Sequence, residues 1–132
     1  MAANSVQFVA TPGMSVAQVS AANTNRDGTG TIVDLVTGVA SPGRRINKIT
    51  IKAIVTTAAG MIRIYFYDGT NTRLYREIVV TAITVGAAVA GFEYEILFND
   101  ANAPILPNVN CKLQASTHNA ETFNIITEYG DF

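Results

Sequence analysis

The chain has no tryptophan, one cysteine and one histidine, and only 14% of its 132 residues are charged. Each shortage closes off a class of fold or chemistry. A lone Cys111 excludes an intrachain disulfide framework and any metal site built on several cysteines. It sits in the alternating run Cys111-Lys112-Leu113-Gln114-Ala115 with the parity of Leu113 and Ala115, so it reads as a small buried hydrophobe rather than a nucleophile. His118 lies in the polar turn Thr117-His118-Asn119 with no third group to orient it as a base, and it reads as a turn residue. Without Trp, both the buried hallmark of an immunoglobulin domain and the usual platform for a sugar ring are missing. A net charge of −1, with six scattered arginines, leaves no basic footprint for nucleic acid or an anionic membrane. No apolar run approaches the length of a membrane span. The opening Met1-Ala2-Ala3-Asn4-Ser5 has no basic region followed by an apolar core, so no signal peptide is expected. These features point to a protein made in a cytoplasm and working without a lipid anchor.

What is present is alternation. Ile49, Ile51, Ala53 and Val55 share one side of a strand, with Lys48, Thr50, Lys52 and Thr56 on the other. Residues 61–67 place Ile62, Ile64 and Phe66 on one face and Arg63, Tyr65 and Tyr67 on the other. Asp68-Gly69-Thr70-Asn71 supplies turn chemistry, and residues 73–80 complete what the spacing predicts as a three-strand antiparallel meander. Around it, 31–37, 92–98, 109–116 and 122–129 read as strands. In 92–98, Phe92, Tyr94, Ile96 and Phe98 are predicted inward. The small-residue stretch 81–91 reads as strand or extended connection, since its two glycines oppose a helix. Residues 99–108 read as a loop because Pro104 and Pro107 cannot donate to a ladder. The expected fold is all-β: an antiparallel β-sandwich of about eight strands, jelly-roll-like, over residues 23–132. Residues 1–22 are expected to form an extended N-terminal arm or edge strand, interrupted by Thr11-Pro12-Gly13.

Side chains that carry chemistry are sparse. Glu93 and Glu95 lie two apart on one strand face, about 7 Å from each other but pointing the same way. Glycosidic cleavage needs carboxyl groups flanking a bond, so this pair reads as an acidic stripe. Asp27-Gly28-Thr29-Gly30 and Asp68-Gly69-Thr70-Asn71 lack the alternating ligands of an EF-hand, and Asn99-Asp100-Ala101-Asn102 reads as a turn. No catalytic, metal-binding or cofactor-binding residue is assigned, and an enzyme is not expected. The informative face is the other side of the central strands. Arg63, Tyr65 and Tyr67, with Arg73, Tyr75 and Glu77 on the next strand, would form either an Arg/Tyr surface for a protein partner or a face packed against the second sheet. Together with Phe8 and Val9 of the arm, Arg63, Tyr65, Tyr67, Arg73 and Tyr75 are the candidate partner interface.

The runs Gly43-Arg44-Arg45-Ile46-Asn47-Lys48-Ile49-Thr50 and Met61-Ile62-Arg63-Ile64-Tyr65-Phe66-Tyr67-Asp68-Gly69-Thr70 resemble the small β-sandwich virion proteins of tailed bacteriophages. The stretch Leu113-Gln114-Ala115-Ser116-Thr117-His118-Asn119-Ala120-Glu121 resembles them too. The resemblance covers roughly residues 30–132, and it is greatest to the capsid decoration (cement) proteins. It implies a jelly-roll-like homo-oligomer, often a homotrimer, on the outside of the phage head, bridging neighbouring subunits of the major capsid protein. It transfers no functional residues. A small-molecule substrate, nucleic acid and membrane are not expected among the partners. The other readings are a host-surface or carbohydrate-binding domain of a phage fibre, and a tail, neck or fibre-anchor protein. The low charge agrees with all of these, because so sparsely solvated an exterior calls for cover by other subunits, the alternative being a soluble monomer whose surface is Thr, Asn and Ser rather than charge.

Overall fold

The computed structural model describes residues 11–132. In chain order its strands are β1 (Thr11–Val19), β2 (Val33–Thr37), β3 (Arg44–Ala53), β4 (Gly60–Tyr67), β5 (Thr72–Val80), β6 (Glu93–Leu97), β7 (Ile105–Leu106), β8 (Lys112–Thr117) and β9 (Phe123–Asp131). They form two antiparallel sheets packed face to face. The first runs β1-β9-β3-β6, with the two-residue β7 pairing the start of β3; the second runs β2-β8-β4-β5. Setting β7 aside, the pairs β1·β9, β2·β8, β3·β6 and β4·β5 are nested one inside the next. The chain is thus a long hairpin closed at the β4–β5 turn and rolled so that alternate pairs fall in opposite sheets. That winding is a jelly roll, and the expected antiparallel sandwich is what forms.

The expected meander does not. β4 and β5 pair as a hairpin, closed by Asp68 Oδ1 accepting the Thr70 and Asn71 N–H groups at 2.8 Å, with Gly69 at φ 100°. β3, however, belongs to the other sheet. Its apolar face and that of β4 are each one-sided, and crossing at residues 54–59 sets Ile49 and Ile51 in the same buried core as Ile62 and Ile64. Side-by-side pairing would put both faces on one sheet and leave half the core unfilled. Leu113, Ala115, Phe123 and Ile125 complete the layer between the sheets, where Phe92 meets Phe123 edge-on at 6.4 Å.

Residues 11–19 are an edge strand paired along their length with β9, and Val19 belongs to the core. Pro12 does not cut this strand, because an edge position leaves its missing N–H facing away from the ladder. Phe8 and Val9 lie outside the described residues. Phe92, Ile96 and Phe98 are buried as predicted, but Tyr94 is 46% exposed because β6 is itself an edge strand with nothing beyond it. Residues 81–92 run as an irregular connection tied to the rest by a Thr57–Ile83 bridge.

Candidate functional site

The Arg/Tyr face forms, but not as a surface. Arg63 and Tyr65 project from the outer side of the second sheet, where Arg63 stands opposite Glu77 of β5 and Ser116 of β8. Arg63 is only 1% exposed and Tyr65 0%. Their cover is neither a partner nor the other sheet. It is the chain's own polar loop of residues 22–31, folded back over the outer face. Ala22 makes a parallel bridge to Thr117, and the Asn23 N–H donates to the Thr117 carbonyl at 2.8 Å. The Asn23 amide nitrogen then donates to the Thr29 and Thr31 carbonyls, both at 2.9 Å, closing the loop on itself. The Tyr65 hydroxyl donates to the Asn25 carbonyl at 2.8 Å. Gly28 is at φ 88°, and a Cβ there would lie 2.6 Å from the Thr72 carbonyl oxygen, so the loop's approach to β5 at this point needs glycine.

Beneath this loop is a charged network. Arg63 donates through Nε to Glu77 Oε2 at 3.1 Å, through Nη1 to the Asn23 carbonyl at 3.3 Å, and through Nη2 to His118 Nδ1 at 3.2 Å. A guanidinium can only donate, so Nδ1 accepts and the neutral ring carries its proton on Nε2. Arg26, from the loop, donates through Nε to the same Glu77 oxygen at 2.6 Å. The Arg26 hydrogen bond is the largest influence holding the Glu77 carboxyl below its ordinary range, with Arg63 adding to it. Arg26, Arg63 and His118, with Ala59, Gly60 and Met61, line a cavity of about 150 Å³ beside the network.

The remaining interface candidates separate from these two. Tyr67 is half-buried, its ring 5.9 Å from Lys112 Nζ, while Arg73 and Tyr75 are exposed on edge strand β5. Arg63 and Tyr65 thus serve the fold from within, and only Tyr67, Arg73 and Tyr75 of the described candidates reach the surface. Glu93 and Glu95 lie on the outer side of the first sheet, with Lys52 Nζ at 3.6 Å and Lys48 Nζ at 3.5 Å respectively; they form a ladder with lysines, not a pair about a cleft. Asn99 Oδ1 accepts the Ala101 and Asn102 N–H groups, so the polar cluster there is a turn. Cys111 is buried. The adjacent Arg44 and Arg45 are committed to Asp131 and Asp100.

A second feature is visible only in the fold. On the outer side of the first sheet, the register sets Met14 and Val16 of β1 beside Glu128 and Ile126 of β9, then Lys48 and Thr50 of β3, then Leu97 and Glu95 of β6. Met14 is 59% exposed, Val16 65% and Leu97 72%. This face carries apolar side chains at both margins and a lysine–glutamate seam along the middle. The alternation was readable in each strand separately, but which outward residues become neighbours depends on the order of strands in the sheet. No family model matches the chain, and no curated protein matches it.

Proposed function

We propose that the protein is a structural, non-enzymatic component of a phage particle, a decoration protein that binds the outside of the head and bridges subunits of the major capsid protein as a homo-oligomer. One observation carries this reading: the outer face of the first sheet leaves Met14, Val16 and Leu97 in water, in a chain with few charges to keep it dispersed. A face of this composition, apolar at its margins and seamed with salt-bridged Lys48 and Lys52, fits a protein surface better than a small molecule. The resemblance of residues 30–132 to capsid decoration proteins points the same way. The work done is mechanical. A subunit that touches two capsid neighbours gains its second contact only in the assembled shell, so it stabilises that shell by mass action.

The test is cosedimentation of the purified chain with heads that lack it. Saturable binding at a fixed ratio to capsid subunits is expected, with loss of binding in a Val16→Asp/Leu97→Asp variant that keeps its far-UV circular dichroism. Absence of binding to heads, or density for the chain on the tail in a cryo-EM map of the particle, overturns the assignment.

A further inference from the structure

We propose that the cavity beside Arg26, Arg63 and His118 is a binding site for a single carboxylate group. Arg63 has five N–H groups and no acceptor. Three are taken by Glu77, the Asn23 carbonyl and His118, and the rest belong to a side chain that is almost fully buried and lines the cavity. Buried donors call for an acceptor. His118, having accepted at Nδ1, adds an Nε2–H donor. Among the described residues, Arg26 commits only its Nε, so its terminal nitrogens are also available. Every polar side chain lining the cavity therefore offers N–H, and none offers a lone pair.

Charge counts in the same direction. Two guanidinium groups converge on one oxygen, Glu77 Oε2, at 2.6 and 3.1 Å, which leaves one positive charge in excess. Asp27 and Glu121 keep their charges but are not among the lining residues; Asp27 accepts the Thr29 N–H and Glu121 the Ala58 N–H. Guanidinium groups pair best with planar carboxylates. A volume of about 150 Å³ is enough for a carboxyl group with a short tail. A free short-chain acid and the Asp or Glu side chain of a bound protein present the same group.

The molecule supplies its own reporter, since His118 is the only histidine. In a long-range proton–nitrogen spectrum of the full chain at neutral pH, the ring is expected as the Nε2–H tautomer. Sodium acetate, exchanged against sodium chloride at constant ionic strength, is expected to move its signals along a saturating curve. Arg26→Ala, at an exposed position, should raise the acetate Kd about tenfold with the fold intact by circular dichroism. Saturation by acetate alone assigns a free acid; saturation also by an acetylated glutamate amide assigns a carboxylate borne by protein. A response to acetate no different from chloride, an unchanged Kd in Arg26→Ala, or saturation by phosphate but not acetate overturns the assignment. None of these readings depends on attachment to a viral head.

Discussion

Glu77 accepts two guanidinium groups on one oxygen, so its protonation state is tied to the fold. Its carboxyl is held below the ordinary value of 4.5, first by the Arg26 hydrogen bond. The share of stability it supplies is therefore present above that value and lost as pH falls through the lower, folded value. Asp131, held down by Arg44, and Asp34, held down first by Gln114, act in the same direction. Urea midpoints are expected to fall between pH 6 and pH 3, and Glu77→Gln should lower the midpoint at pH 6 while flattening that fall. A second residue-scale prediction concerns Tyr65→Phe. It removes the hydroxyl that holds Asn25 and should cost about 1 kcal/mol in chemical denaturation. In the opposite sense, the Thr127 hydroxyl is buried with no partner. Thr127→Val keeps the β-branched shape and should be neutral or stabilising by up to about 1 kcal/mol.

Among the elements, the loop of residues 22–31 is the one whose role the sequence conceals. Asn23, Asn25, Asp27 and the glycines have the composition of a polar loop, and their short side chains do bond to nearby backbone. What local pattern cannot express is that this loop folds back over β4 and buries two large polar residues there. Arg63 and Tyr65 alternate as outward residues should, and outward proves to mean away from the core, not towards water. The strands themselves were legible because each is apolar on one side, and the β4–β5 hairpin because its turn residues are adjacent in sequence. The assignment of β3 and β4 to different sheets was not, since alternation is identical whether a strand pairs with its successor or crosses the core. Gly28→Ala tests the loop as an element. Positive φ and the approach to Thr72 should together cost about 1–3 kcal/mol. Limited proteolysis should then cut first within residues 22–31, exposing Tyr65 to solvent quenching.

For the whole molecule, nested pairing means that no sheet can close from neighbouring segments alone. The first sheet joins β1 to β9 and β3 to β9, so one of its two inner strands is the last one in the chain. Loop closure must be met before those contacts form, and folding is expected in milliseconds to seconds, as for other non-local β topologies. Stopped-flow Tyr fluorescence would check this; microsecond refolding would contradict it. Arg44 shows how the closure is secured. Its side chain donates to Asp131 at 2.7 and 3.2 Å and to the Thr37 carbonyl at 2.8 Å, and it stacks 3.8 Å over the Tyr129 ring. One guanidinium thus ties β3 to the final strand and to the second sheet.

The register that opposes Thr11 to Asp131 brings the two ends of the described chain to one corner of the sandwich. A short peptide would splice them without disturbing either sheet, and new ends cut at Gly69 would fall in an exposed bend. Such a circularly permuted molecule should fold, and cargo carried in the splice between Thr11 and Asp131 would be displayed at that corner.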